Sequence, residues 1–313
     1  MTMDVRELAK AVARELAARD QVSGRGAPPE PQRNTDSRRD HHPSIANPGN
    51  STQSPPAGVR WVRDQARIAD FIDHTLLKAE ATASEIDKLC AEARELRFAA
   101  VCVNPSWVAR CARHLASSGV GVATVVGFPL GATSSAAKAH ETEIAVRDGA
   151  TEIDMVVALG HIKSNDWDHV AEDIAAVVRA ARGHLVKVII ESAALTPVEI
   201  IKASALSREM GAHYVKTSTG FHAAGGASSE AVALMRMVVG DALGVKASGG
   251  VRDCEAALRM IAAGATRIGT SSGVSMAKCL GQGPLPVGNL LTVAHGHGPT
   301  CSTCQTGPTG TAY

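Results

Sequence analysis

Hydrophobic and polar positions recur along most of this chain in a regular rhythm. From about residue 64, short apolar, β-branched runs appear at FIDHT (71–75), FAAVCVN (98–104), VATVVGF (122–128) and EIDMVV (152–157). Four more follow at LVKVIIE (185–191), HYVKTS (213–218), VKASGG (245–250) and TRIGTS (266–271). Between them lie longer stretches such as TASEIDKLCAEARELR and DWDHVAEDIAAVVRAAR, whose apolar positions repeat at helical spacing. Eight strands, each followed by a helix, predict a TIM (β/α)8 barrel of the α/β class. A doubly wound open sheet is the competing arrangement, but no G-x-G-x-x-G opens a strand–helix turn.

The pattern changes at both ends. Residues 1–20 predict an amphipathic helix, with Val5, Leu8, Val12 and Leu16 on one stripe and Ala9 and Ala13 beside them. Residues 21–63 are rich in Pro, Gly, Ser, Asn and charge and read as a disordered linker. The barrel is expected over 64–282, followed by a flexible tail over 283–313.

Composition narrows the function. Apolar residues make up 45% of the 313, enough for a large core, whereas a formal charge of +1 and 3% aromatics offer no nucleic-acid face. No run reaches the ~20 apolar residues that span a bilayer. The N-terminus carries acids and lacks an apolar signal region. Seven cysteines, mostly scattered, do not form a disulfide pattern. A cytoplasmic protein without membrane partners is expected.

The chemistry lies in the polar residues that interrupt the strands. In a barrel of this kind the reactive groups sit at the C-terminal ends of the strands. Asp73, Cys102, Asp154, Lys187, Lys216 and Lys246 interrupt the strand runs, and the three lysines follow one another at intervals of one strand–helix unit. Neighbouring strands are ~4.8 Å apart. Lys216 and Lys246 could then hold their amines about 6 Å apart, where two positive charges repel by roughly 3 kcal/mol. That is about two pKa units, and burial lowers the value further. A neutral amine attacks carbonyls and forms a Schiff base, and Asp154 is placed to shuttle protons. Taken singly, Lys187 and Asp154 fit structural ion pairs equally well, and Cys102 reads as a small buried hydrophobe. Gly249 and Gly250 after the seventh strand, and Gly269 to Val274 with Ser271 and Ser272 after the eighth, are placed to cradle a phosphate.

Together, DHTLL, VCVNP, EIDMVV, VKVIIES, VKTSTG, KASGGVR and RIGTSSG, in this order, resemble deoxyribose-phosphate aldolase over about residues 64–280. The resemblance implies a metal-free, cofactor-free class I aldolase. Such an enzyme reversibly cleaves 2-deoxy-D-ribose 5-phosphate to acetaldehyde and D-glyceraldehyde 3-phosphate. It implies Lys216 as the Schiff-base lysine, Lys246 as its perturber and proton relay, and Asp154 as proton donor and acceptor. Asp73, Lys187 and Cys102 are then the supporting network, and Gly220, Gly249, Gly250, Ser271 and Ser272 the phosphate site. Some members carry a lysine after KTSTG, where this chain continues Phe221-His222; some have KPAGG for its KASGG. Certain members use a C-terminal tyrosine as a tail proton relay, a role for which Tyr313 is the candidate.

The alternatives are a Schiff-base aldolase for another phosphorylated sugar, or a non-catalytic phosphate-ligand or assembly protein. In the tail, His295, His297, Cys301 and Cys304 could bind zinc or cycle as a C-x-x-C pair, although their spacing departs from finger patterns. The N-terminal helix and linker resemble an encapsulation peptide. That implies shell or cargo partners and the lumen of a bacterial microcompartment. A homodimer is the expected assembly.

Overall fold

Every one of the eight apolar runs forms a strand in the computed structural model, which describes residues 4–23, 65–280 and 285–286. The strands are β1 (Ile72–Leu76), β2 (Ala100–Val103), β3 (Gly121–Val126), β4 (Glu152–Val156), β5 (Leu185–Ile189), β6 (Tyr214–Lys216), β7 (Gly244–Ser248) and β8 (Arg267–Thr270). They pair in parallel in chain order, and β8 returns to β1 to close the barrel. Closure buries both faces of the strands, which is why they read as near-continuous apolar runs.

The register sets the site. Asp154 lies opposite Lys187, Ile189 opposite Lys216, and Lys216 opposite Lys246. Because strand side chains alternate with a period of two, Lys187 shares a face with Ile189 one layer deeper than Lys216. The carboxyl end of β4 is also held from outside. Lys138 Nζ donates to Val156 O at 2.9 Å and to Asp173 at 2.6 Å, with Lys138 and Asp173 fully buried.

The outer layer comprises α2 (Ala83–Leu96), α3 (Val108–His114), α4 (Ser135–Arg147), α5 (Leu159–Lys163), α6 (Trp167–Ala180), α7 (Pro197–Glu209), α8 (Ser229–Val239), α9 (Cys254–Ala262) and α10 (Gly273–Leu280). Thr82 and Thr196 open α2 and α7 with capping boxes closed by Glu85 and Glu199. In α6, Val170, Ile174 and Val177 form the buried stripe that its sequence period requires. A short antiparallel pairing joins Gln65–Ala66 to Leu285–Pro286. No described helix is long and apolar enough to cross a membrane.

The N-terminal helix, α1 (Val5–Ser23), is longer than the sequence pattern suggests and is not separate from the barrel. Ala9 and Leu16 are buried against Ile201 of α7 and Val238 of α8, with Val5, Leu8 and Val12 packed around them. Arg19 pairs with Glu209 at 2.7 Å. An apolar stripe lowers its free energy on any complementary surface, and this barrel offers one between α7 and α8. The 24–64 linker and the tail beyond 286 lie outside the described residues, and with them Tyr313, His295, His297, Cys301 and Cys304.

Candidate active site

Seven ionisable side chains from six strands meet inside the barrel. Asp154 on β4 is central: its Oδ2 accepts from Lys216 Nζ and Lys246 Nζ, each at 2.8 Å, and its Oδ1 accepts from Lys187 Nζ at 2.6 Å. Lys246 also donates to Asp73 Oδ2 at 2.5 Å. Lys187 pairs with Glu152 at 2.5 Å and lies 3.7 Å from Asp73. Beneath them, Arg267 bridges Asp73 and Glu152, reaching Glu152 Oε1 at 2.9 Å.

All seven groups are buried. Unpaired charges at that depth are prohibitively costly, so the count of signs matters. Lys187, Lys216, Lys246 and Arg267 face Asp73, Glu152 and Asp154. With every group ionised there is one positive charge too many, and the set balances when one lysine is neutral. Lys216 is the lysine that best meets this condition. Burial lowers its pKa below 10.5, and Lys246 adds to that effect while Asp154 opposes it. Lys246 faces the same burial, yet Asp154 and Asp73 hold its ammonium well above 10.5. Lys187 is raised in the same way by Asp154 and Glu152. Asp154 is held well below 3.8 by its three lysines despite burial. The lysine whose pKa is lowered therefore shares one carboxylate oxygen with one whose pKa is raised, an arrangement suited to nucleophilic attack and proton relay.

Residues 67–278 match a family described as DeoC/LacD family aldolase. The chain belongs to the DeoC/LacD aldolase family. It is an enzyme of the carbon–carbon lyase class. The chain is 59% identical over 216 residues to a deoxyribose-phosphate aldolase of Brevibacillus brevis, covering 68% of this chain and 97% of that one. A deoxyribose-phosphate aldolase of Lysinibacillus sphaericus is 56% identical over 213 residues, covering 68% and 95%. Among solved structures, the tetrameric deoxyribose phosphate aldolase of Aeropyrum pernix superposes with a TM-score of 0.63 at 33% identity, covering 67% of this chain and 89% of that one.

Within this DeoC/LacD barrel, Asp73, Asp154, Lys187, Lys216 and Lys246 converge, and Lys187 belongs to the network as firmly as the others. The expected lowering at Lys216 is present, but its largest cause is burial and not the neighbouring lysine. Cys102 packs with Leu77, Ala100, Ala123 and Val125, and burial raises its thiol pKa, which fits a small core residue. The loops after β6 and β7 touch backbone to backbone. A Cβ on Gly226 would lie 2.1 Å from Gly249 O, so only glycine fits there. Gly250, at φ 81°, faces open space. Ser271 is exposed, and Ser272 precedes α10 with its N–H donated to Thr270 Oγ1. Phe221, in the position after KTSTG, packs edge-on against Phe128 at 5.2 Å.

Three residues of the site escaped sequence reasoning. Glu152 and Arg267 form the lower layer of the network. Glu152 had a signal, since it stands two residues before Asp154 and so shares its face. Glu191 is the third. It follows β5 in the left-handed region at φ 55°, is 2% exposed, and accepts from Thr219 Oγ1 at 2.6 Å and Thr219 N at 3.2 Å. This staples the loop that carries Gly220. Glu191→Ala leaves a buried N–H unpaired, a cost of ~1–3 kcal/mol. We expect KM to rise several-fold while trapping of the Lys216 adduct persists; steady-state kinetics beside borohydride labelling checks both.

Proposed function

We propose that the chain cleaves 2-deoxy-D-ribose 5-phosphate reversibly to acetaldehyde and D-glyceraldehyde 3-phosphate through a Schiff base on Lys216. The observation that carries this reading is the shared Asp154 Oδ2, which holds the depressed amine of Lys216 beside the ammonium of Lys246. The names of the relatives supply the substrate. Lys216 Nζ adds to the C1 aldehyde of the open-chain sugar, and the carbinolamine loses water to give an iminium. The C2–C3 bond then breaks as the C3 hydroxyl loses its proton, and its electrons form an enamine on C1–C2. Protonation at C2 and hydrolysis release acetaldehyde and return the amine. Asp154 and Lys246 carry the protons. Asp73 and Lys187 fix the two carriers, and Gly220, Gly249, Gly250, Ser271 and Ser272 hold the phosphate.

A coupled assay for retro-aldol turnover tests the reading, with 2-deoxyribose 5-phosphate compared against other phosphorylated aldoses. Preference for another sugar would move the case to the alternative aldolase, and no turnover in folded protein would favour a non-catalytic binder. The phosphate site has its own test. Gly250→Asp sets a carboxylate at the rim, in a backbone conformation that Asp tolerates better than most residues. KM for the 5-phosphate should rise roughly tenfold or more through like-charge repulsion, with little change for unphosphorylated 2-deoxyribose. Equal effects on both would remove these residues from the phosphate site.

The proposal places the enzyme in the cytoplasm as a homo-oligomer, in line with the prevalence of symmetric assemblies. Encapsulation through α1 is retained in a conditional form: the helix would have to leave the α7–α8 surface to present its stripe to a shell. Deleting residues 1–20 should leave turnover within about twofold, since none of the network lies there, while exposing Ile201 and Val238 and lowering the melting temperature. Co-purification with shells that survives the deletion would sink the encapsulation reading.

A further inference from the structure

The connection between α5 and α6 carries a cluster that the aldolase chemistry does not use. His161 lies in α5, Asp166 caps α6, and His169 lies in the first turn of α6. Asn165 turns the chain at φ 57°, and Asp166 N donates to His161 O at 2.9 Å, so backbone geometry brings the three side chains together. One ligand atom from each lies within 4.8 Å of the others. The two imidazoles stack with centroids 3.6 Å apart and planes 12° from parallel.

Capping alone does not account for this. Asp166 Oδ1 accepts from His169 N at 3.3 Å and satisfies the helix start. Its Oδ2 is directed instead to His161 Nδ1 at 2.9 Å, and the second imidazole is stacked on the first. Two imidazole nitrogens and one carboxylate oxygen are the donor set of borderline divalent transition metals, whereas Mg²⁺ and Ca²⁺ prefer all-oxygen sites.

We propose that His161, Asp166 and His169 form a binding site for a divalent transition metal ion, for which Zn²⁺ is the probe. Tetrahedral ligand atoms at ~2.0–2.1 Å from zinc stand about 3.3 Å apart. His161 and Asp166 are 45% and 48% exposed, so rotation of free side chains supplies the contraction. The metal displaces the proton between His161 and Asp166, and Asp166 Oδ1 anchors the carboxylate from behind. The exposure of His161 and Asp166 gives the ion and its remaining water ligands access from solvent, and His161 also lines a cleft with Thr133, Ala158, Gly160 and Ser164. The bound metal would clamp α5 to α6 on the outer side of β4.

The test must separate this site from the tail. In the full-length protein, His295→Ala, His297→Ala, Cys301→Ser and Cys304→Ser are combined as the background, and Zn²⁺ is titrated against a chromogenic chelator after metal stripping. One equivalent of zinc should bind to the background protein and raise its melting midpoint. Adding His161→Ala or His169→Ala should weaken that binding at least tenfold and abolish the thermal shift. Far-UV circular dichroism and aldolase turnover without zinc should stay unchanged. Failure of the background protein to take up zinc, or equal binding by the His161→Ala and His169→Ala proteins, would overturn the site.

Discussion

Replacing Lys216 with alanine is expected to lower turnover by at least about 10⁴-fold and to eliminate borohydride trapping with acetaldehyde. In the proposed mechanism Lys216 is the nucleophile, since burial and Lys246 lower its pKa while carboxylates raise that of Lys246. Lys216→Arg should be as inactive as Lys216→Ala, since a guanidinium stays protonated in this environment. Peptide mapping of the wild-type adduct should place the label on Lys216. A label on Lys246 would reverse the two roles. The charge count makes a further distinction: Lys216→Met removes the surplus cation, so this protein should fold at least as stably as the wild type while remaining inactive.

Asp154→Asn is expected to damage both function and fold. Asp154 is the one carboxylate that binds all three lysines. An amide can accept only through its oxygen, and its NH₂ group would face an ammonium. Breaking a buried ion network by removing one partner costs ~3–5 kcal/mol, a fall of roughly 10 °C in melting temperature for a domain of this size. Turnover should fall by about 10³-fold or more, because proton relay is lost along with the poise of Lys216. The effect depends on pH in a defined direction. Asp154 is held well below 3.8 in the folded state, so the unfolded chain takes up its proton first. Its stabilising contribution is present above pH ~4 and is lost as the pH falls through the lower native value. The stability gap between wild type and Asp154→Asn should therefore narrow below about pH 4, as acid titration followed by circular dichroism would show.

How much of this was legible beforehand differs from element to element. The strands were readable because burial on both faces leaves apolar runs that few other elements produce. Lys187, Lys216 and Lys246 were readable because each interrupts such a run one strand–helix unit after the last. Glu152 was legible in principle, as the same-face neighbour of Asp154. Arg267 was not, since its role depends on β8 closing against β1 and bringing it to Asp73. Glu191 was hidden for another reason: its carboxylate is aimed by a left-handed backbone turn that no local pattern announced. The stripe of α1 was visible, but its partner was not, because amphipathicity records that a face is to be buried and not against what.

The sequence by itself determined the barrel and the lysines and acids that interrupt its strands, because each depends on periodicity and spacing along one chain. Only the tertiary structure decided which lysine has its pKa lowered and which have theirs raised. That choice rests on how many carboxylates each ammonium meets at depth: Lys246 is held by Asp73 and Asp154, Lys187 by Glu152 and Asp154, and Lys216 by Asp154 alone. Coulombic attraction and desolvation act through distances in space, and those distances exist only once the barrel has closed.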